Sequence, residues 1–254
     1  MERINTANER CLMTHARSQM KSWLILFLFA LVLAPASHAQ DNPVLFHEDF
    51  SSLDNWKPFF FPNIKKHSVY SLEKEGKHNV LKAESHASAS AIIFKDTFNV
   101  YDHPKVRWRW RVSNVYKKGE TGSKAGDDYP MRVYIMFEYD PAKAGTLEKM
   151  KFGFAKKLYG EYPPESSLNY VWANREQPES IVDSPYTDRS KMVLLEKDAR
   201  SVGVWREEEV DIVADYQKAF GTKPPARARI AIMNDSDNTG ESSVSHMEYI
   251  EVFR

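Results

Sequence analysis

The chain has 254 residues, 42% of them hydrophobic, with 35 basic and 35 acidic side chains and a formal net charge of zero. This balance excludes the basic surface of a typical nucleic-acid-binding protein and gives no overall attraction to an anionic membrane. A single cysteine excludes a disulfide-based scaffold, and the length is sufficient for one large β domain.

Residues 1–39 are predicted to be a cleaved signal peptide. Lys21 precedes an apolar run at 23–33 that is too short for an ordinary membrane span. Ser37 and Ala39 supply the small residues that a signal peptidase requires, so residues 40–254 are predicted to be the exported chain, a single domain without a stable membrane span. The predicted location is the periplasm or the cell exterior. An uncleaved membrane anchor is the alternative.

From Val44 onward, short apolar or alternating runs recur between turn signals, which is typical of an all-β sandwich or barrel. Eleven strands are predicted at Val44–Phe46, His67–Leu72, Val80–Glu84, Ala91–Asp96, Val106–Val112, Met131–Tyr139, Leu168–Trp172, Met192–Glu196, Val202–Asp211, Arg229–Asn234 and Met247–Phe253. Between the first two lies the aromatic run Phe59–Phe61, flanked by prolines. Two interpretations stay open for it, a cover over the end of the core and an exposed aromatic lip.

The segment Val106–Val112 alternates without a break between apolar residues and arginines. Its period of two places Trp108 and Trp110 on one face of a strand and three arginines on the other. The tryptophans are predicted to enter the core, with the arginines solvated or paired to carboxylates of a neighbouring strand. The alternative is that the arginines line a cleft for an acidic ligand.

The run from Gly126 to Asp140 changes within a few residues from an acidic turn to an alternating strand. Odd positions from Met131 are apolar and are predicted to face the core. The even positions include Arg132, Tyr134 and Glu138, so the opposite face carries an arginine, a phenol and a carboxylate. Any chemistry is therefore expected near the N-terminal end of this strand.

Asp127 and Asp128 occupy the turn directly before that strand, close enough to Arg132 for an ion pair. They are interpreted either as an ion-binding or catalytic pair or as turn-capping and ion-pairing groups. A pair of carboxyls can act as general acid and base only when they flank the reacting bond. Serine-protease triads, HExxH, P-loop and GxGxxG motifs do not occur in the sequence, and the histidines are not clustered for zinc.

Two segments have helical instead of strand periodicity. Apolar residues in the first recur at Leu147, Met150, Phe154 and Leu158, and in the second at Val210, Val213, Tyr216 and Phe220. Both are predicted to be short helices that pack on the flanks of the sandwich. Lysines between the apolar residues of the first helix leave contact with a membrane surface as the alternative.

Side-chain oxygens alternate along the loop 234–241, at Asp235, Asp237 and Thr239. This spacing allows one turn to wrap a hard cation, so these three residues are the predicted metal ligands and calcium is the candidate ion. The loop is not an EF-hand, because His246 stands where a bidentate glutamate is required. The competing interpretation is that Asx and Gly residues simply form the turn.

Aromatic rings and planar polar groups together are typical of sugar sites, where rings stack on sugar faces and carboxylates or amides bind hydroxyls. The residues predicted to line such a site are Asp127, Asp128, Arg132, Tyr134, Tyr170, Trp172 and Asn238. This prediction requires three distant segments to meet. The alternative is that the rings belong to the core and the polar groups to strand ends.

Several motifs in combination resemble a family of bacterial exported proteins known as domain of unknown function 3047. The resemblance spans about residues 46–252 and is carried by Trp108-x-Trp110, Gly126-Asp127-Asp128-Tyr129-x-x-Arg132-x-Tyr134, Asn169-Tyr170-Val171-Trp172, Asp215-Tyr216, Phe220-Gly221 and Asp235-Ser236-Asp237-Asn238-Thr239-Gly240. It implies a periplasmic or secreted single domain of a Gram-negative bacterium, and it implies no reaction.

The predicted fold is an all-β, jelly-roll-like sandwich with two short flanking helices. The predicted function is an exported binding module for a carbohydrate or other cell-envelope ligand, assisted by calcium if the loop 234–241 holds the ion. Two alternatives stay open. One is a polysaccharide hydrolase or lyase with Asp127 or Asp128 as acid or base and Arg132 stabilising charge; the other is a structural envelope protein.

Overall fold

The computed structural model describes residues 43–254, and the predicted signal peptide lies outside the described residues. In chain order the strands and helices are β1 (Val44–Glu48), β2 (Trp56–Phe59), β3 (Val69–Glu75), β4 (His78–His86), β5 (Ala89–Phe94), β6 (Phe98–Asn99), β7 (Lys105–Val112), β8 (Arg132–Phe137), α1 (Thr146–Tyr159), β9 (Ser166–Ala173), β10 (Ile181–Asp183), β11 (Ser190–Lys197), β12 (Arg206–Asp211), α2 (Ile212–Phe220), β13 (Arg227–Asp235) and β14 (Ser242–Phe253). Each of the eleven predicted strands overlaps one of these. The three that sequence analysis missed, β2, β6 and β10, are only four, two and three residues long.

The strands form two sheets that pack face to face as a jelly-roll-like sandwich. The six-stranded sheet has the order β12, β7, β14, β4, β3, with β1 also paired to β14. The eight-stranded sheet has the order β10, β11, β9, β8, β13, β5, β2, with β6 paired to β13. Neighbouring strands are antiparallel except β9 and β11, which are parallel. The predicted all-β sandwich with two short helices is confirmed.

The core lies between the sheets and is rich in tryptophan and tyrosine. Trp108 and Trp110 of β7 are fully buried, as predicted from the alternation in that strand. They contact two rings of the opposite sheet, with ring centroids 5.6 Å apart for Trp108 and Tyr170 and 5.7 Å apart for Trp110 and Trp172. These four rings therefore join the two sheets at the centre of the sandwich.

The same contacts overturn the prediction that Tyr170 and Trp172 line a ligand face. Both side chains are fully buried, and β9 presents them to the core, where Tyr170 lies beside Val133 of β8. Their polar atoms are used internally, because the Tyr170 hydroxyl donates to Asp215 at 2.9 Å and the Trp172 indole to the carbonyl of Asp198 at 3.3 Å. Neither ring can reach a ligand without opening the sandwich.

The arginines of β7 lie on the outer face of the six-stranded sheet and pair with carboxylates, as one of the two interpretations predicted. Arg107 bonds to Glu251 and Arg109 to Glu248. Arg111 forms a two-pronged pair with Glu75, at 2.8 and 2.9 Å. The alternative of a cleft for an acidic ligand is not supported, since each guanidinium already has a carboxylate.

The two predicted helices differ in how they meet the sandwich. Helix α2 packs as expected, with Asp211 capping its N-terminus and Tyr216 buried against Phe137, their ring centroids 4.6 Å apart. Helix α1 does not pack through the apolar residues that predicted it, because Leu147, Met150, Phe154 and Leu158 are all exposed. Phe152, on the other side of α1, contacts the body instead. No helix among residues 43–254 is long and apolar enough to cross a membrane.

Candidate functional site

The acidic turn before β8 is built around a close approach of two backbone segments. A side chain at Gly126 would place its Cβ atom 2.5 Å from the backbone nitrogen of Glu120, so only glycine fits there. The backbone N–H of Glu120 donates to the carbonyl of Gly126 at 2.9 Å. This contact directs Asp127 and Asp128 inward, where both are buried.

Arg132 is the cation of this acidic turn and is only 3% exposed. Its Nε donates to Asp235 Oδ1 at 2.8 Å, and Nη2 donates to the other oxygen of the same carboxylate. Nη1 donates to Asp127 Oδ2 at 3.3 Å, which confirms the ion pair expected from sequence. The Tyr129 ring covers the guanidinium, whose Cζ atom lies 4.6 Å from the ring centroid. The end of β13 and the start of β8 are thereby joined.

Asp128 joins the acidic turn to the loop between β13 and β14. Its two oxygens accept from the backbone N–H groups of Asn238 at 3.3 Å and Thr239 at 2.6 Å. The Asn238 side chain points outward and donates to the Tyr186 hydroxyl at 3.1 Å. Two of the distant segments named by the sequence prediction therefore meet here, whereas Trp172 of the third does not take part.

We call this group, Asp127, Asp128, Arg132, Asp235 and Asp237, the acidic cluster. It contains four carboxyls and one guanidinium. Burial raises the pKa of Asp235 to about 8 despite Arg132, and burial likewise raises the pKa of Asp127 and of Asp237. Asp127 Oδ1 is buried and has no hydrogen-bond partner among residues 43–254. The cluster thus has more buried negative charge than Arg132 neutralises, so it favours bound protons or a second cation.

Carboxylate oxygens of Asp128, Asp235 and Asp237 lie within 4.8 Å of one another. This set shares Asp235 and Asp237 with the predicted metal ligands, but Asp128 takes the place of Thr239. The Thr239 hydroxyl is buried and accepts from the backbone N–H of Glu241 at 3.3 Å, which is the turn-forming role of the alternative interpretation. Three carboxylates suit a hard cation such as calcium, although Asp235 already gives both oxygens to Arg132.

A cleft of about 640 Å³ lies beside the acidic cluster, on the outer face of the eight-stranded sheet. The floor of this cleft consists of alternate residues of β5, β13 and β8. The residues between them in each strand face the core. Ala91 and Ala231 leave space on this floor between larger neighbours such as Met233 and Tyr134. We call it the outer cleft. Tyr134 lines it, and its hydroxyl lies 3.5 Å from Nη1 of Arg132.

Aromatic rings from separate segments line the outer cleft. They are Phe59, Phe61, Tyr134, Tyr139 and Tyr162. Phe59 and Phe61 pack on Ala89, Ala91 and Met233 on the outer face, which favours the aromatic-lip interpretation over a cover for the core. Phe60, between them, is 51% exposed and stacks on His67.

Polar groups at one end of the outer cleft are joined by Arg229. Its Nη1 lies 3.5 Å from Glu161 and its Nη2 3.8 Å from Glu138, and Lys57 pairs with Glu161 at 2.9 Å. Arg229 Nε and the Tyr139 hydroxyl are buried and have no hydrogen-bond partner among the described residues. The cleft therefore combines ring faces with the charged side chains of Arg229, Glu138 and Glu161.

Asp127 and Asp128, the predicted acid or base of the catalytic alternative, do not line the outer cleft. Asp128 is fully buried with both oxygens bonded to backbone N–H groups, and Asp127 is 5% exposed. They have no access to a polysaccharide chain in this arrangement. Sequence analysis identified Tyr134 but missed Arg229. Strand β13 alternates between inward and outward residues as β8 does, and its outward residues are Arg229, Ala231 and Met233.

A family model described as "Protein of unknown function (DUF3047)" matches residues 54–251. No curated protein matches the chain. Solved structures similar to it include the family 11 carbohydrate-binding module of a cellulosomal cellulase of Clostridium thermocellum, with 8% identity, TM-score 0.39 and coverage of 83% of this chain and 93% of that chain.

Two further structures are similar at the same level. One is a lectin from Bauhinia forficata in complex with GalNAc, with 8% identity, TM-score 0.38 and coverage of 84% of this chain and 97% of that chain. The other is the xyloglucanase domain of NopAA, a type three effector from Sinorhizobium fredii, with 8% identity, TM-score 0.41 and coverage of 82% and 97%.

Proposed function

The chain belongs to the family described as protein of unknown function DUF3047, and on that premise we propose that it is an exported protein that binds a carbohydrate in the outer cleft. The observation that carries the proposal is the composition of that cleft, which aromatic rings line together with the charged side chains of Arg229, Glu138 and Glu161. Ring faces stack on the apolar faces of sugars, and planar polar groups bind their hydroxyls.

The size of the outer cleft agrees with this proposal. A volume of about 640 Å³ lies within the range of small-molecule sites, roughly 300–1,000 Å³, and corresponds to a short oligosaccharide. Glu138, Glu161 and Arg229 at one end are partly exposed and joined in ion pairs. These charged groups can exchange hydrogen bonds with the hydroxyls of a sugar.

Substitution of a cleft ring is expected to weaken oligosaccharide binding. Once a glycan array has identified a ligand, Phe61→Ala and Tyr162→Ala should each raise Kd about ten-fold, or about 1.4 kcal/mol, because each removes a stacking face. Titration calorimetry measures the change. The matched control is Tyr101→Ala, which removes a partly exposed ring outside the cleft and should leave Kd unchanged. An array without hits, or equal losses in the control, would contradict the proposal.

Arg229→Lys tests the polar end of the cleft. It retains the positive charge near Glu138 and Glu161 but loses the Nε donor and the planar fork. If Arg229 binds a sugar hydroxyl, the Kd of Arg229→Lys for the oligosaccharide should rise about as much as the Kd of the ring variants. The melting temperature of Arg229→Lys should stay close to that of the wild type.

Calcium assistance is the second part of the proposal, and what supports it is the acidic cluster at the Tyr134 end of the cleft. Asp237 is the best test residue, since its side chain is only partly buried. We expect millimolar calcium to raise the melting temperature of the wild type by about 5 °C, because a ligand that binds only the folded state stabilises it. Asp237→Asn should abolish the increase with little effect on folding.

Magnesium and EDTA serve as controls in the same melting experiment. A wild-type melting temperature that calcium leaves unchanged would remove the ion from the proposal. Sugar binding in the outer cleft would stand or fall separately, because none of the ring variants touches the three carboxylates.

A further inference from the structure

Helix α1 presents a continuous apolar stripe to solvent. Leu147, Met150, Phe154 and Leu158 recur at spacings of three and four residues, which places them along one side of the helix. They are 66%, 67%, 73% and 62% exposed. Scattered exposed apolar residues are common in proteins, but four large ones in a row on one helix indicate a surface that another body covers.

The stripe is held outward because the opposite side of α1 is fixed to the sandwich. Phe152 is 7% exposed and stacks on Tyr139, with ring centroids 3.9 Å apart. Arg189 lies over the Phe152 ring at 5.2 Å and pairs with Glu148 at 2.8 Å. Packing and an ion pair thus determine which side faces inward, and turning the stripe toward the body would break both.

The charges around the stripe are positive. The helix has four exposed lysines, of which Lys149 and Lys156 lie on the side away from the stripe, where Lys156 packs over the Tyr162 ring at 4.4 Å. The single acidic residue in the helix sequence, Glu148, is neutralised by Arg189. At 100° per residue, Lys151 and Lys157 border the stripe on its two sides. An apolar stripe bordered by lysines is typical of a helix that lies in the interface of an anionic membrane.

We propose that α1 docks this protein onto a bilayer surface that contains anionic phospholipids, with the stripe in the acyl boundary and Lys151 and Lys157 at the headgroups. A second copy of the chain fits the stripe less well, because two such helices would bring like charges together around a small apolar contact. A lipid surface supplies apolar depth and negative charge at once.

The contact between Phe152 and Tyr139 links the proposed docking surface to the outer cleft, which Tyr139 lines. A docked helix would therefore hold the cleft next to the bilayer surface. Membrane docking does not depend on what the cleft binds, since it rests on α1 alone.

The test is co-sedimentation with lipid vesicles. The chain is expressed with its own N-terminal segment and purified in the form that the expressing cells produce. Mass spectrometry determines its N-terminus, so that all variants are compared with identical ends. We expect binding to vesicles of 30% phosphatidylglycerol in phosphatidylcholine, and binding to pure phosphatidylcholine that is weaker by about 25-fold or more. Met150→Ser with Phe154→Ser should abolish it, and Lys151→Gln with Lys157→Gln should weaken it about 25-fold, at roughly five-fold per lysine.

The matched control is Val69→Ser with Val204→Ser, which removes two exposed apolar side chains elsewhere, 57% and 53% exposed, and should bind like the wild type. Circular dichroism and melting temperature verify that each variant folds. The docking proposal is overturned if the wild type does not bind anionic vesicles, or if the stripe variant, Met150→Ser with Phe154→Ser, binds them as well as the wild type does. It is also overturned if light scattering shows a dimer that the stripe variant loses, since a second copy would then cover the stripe.

Discussion

Replacing Arg132 with methionine is expected to lower the free energy of unfolding by about 3–5 kcal/mol, because it removes the guanidinium from the buried carboxyls of the acidic cluster. Asp235 loses both of its charge-assisted bonds and Asp127 loses its single one. Methionine fills much of the same volume, so the loss reports charge more than packing. Urea unfolding followed by tryptophan fluorescence measures the change.

The effect of Arg132→Met should also depend on pH. The pKa of Asp235 is raised to about 8 in the folded chain, above its ordinary value of 3.8, so the folded state holds the extra proton between these limits. Stability from this group is therefore present at low pH and lost as pH rises toward 8. Without Arg132 the carboxyls depend still more on protons, and the variant should lose more stability at pH 8 than at pH 5.

Two comparisons separate this explanation from a general effect of losing an arginine. Arg200→Met breaks ion pairs whose arginine is 71% exposed, and it should cost about 0–1 kcal/mol. At pH 8, adding Asp235→Asn to Arg132→Met should recover part of the loss, because it removes one of the unpaired charges. Equal losses for Arg132→Met and Arg200→Met would show that the acidic cluster is not electrostatically coupled.

The strands were accessible from sequence because period-two alternation is a local property. In β8 and β7 one face enters the core and the other carries charge, so the pattern alone identified both the strand and its inner side. Pairing of Asp127 with Arg132 followed from a separation of five residues. Helix α1 shows the limit of such inference, since periodicity defined an apolar face but the lone Phe152 on the opposite side is the one that packs.

The outer cleft was only partly predictable because it depends on which distant strands become neighbours. Tyr134 and Arg229 lie on adjacent strands, β8 and β13, about a hundred residues apart in sequence. The prediction for β9 failed for a different reason. All of its residues are buried, since Tyr129, Val182 and neighbouring residues cover its outer face, and a strand buried on both faces lacks the alternation that distinguishes inside from outside.

Trp172 tests that correction directly. Trp172→Ala is expected to cost about 3–5 kcal/mol in the free energy of unfolding, because it removes a fully buried ring at the junction of the two sheets and leaves a cavity beside Trp110. The carbonyl of Asp198 also loses the indole N–H that donates to it at 3.3 Å. A ring that only contacted a ligand from the surface would cost far less, so chemical denaturation distinguishes the two placements.

The milder substitution Trp172→Phe keeps an aromatic ring in the core, and its cost should be well below that of Trp172→Ala. The folded Trp172→Phe protein should bind oligosaccharide with unchanged Kd, whereas a ring that stacked on the sugar would lose affinity as Tyr162→Ala does. Trp205→Ala is the matched control for stability, since that indole lies on the outer face of the six-stranded sheet, against Arg109 and Arg111. Its cost should be about 1 kcal/mol. Unchanged stability in Trp172→Ala together with lost sugar binding would return Trp172 to the ligand face and contradict the arrangement of β9 described above.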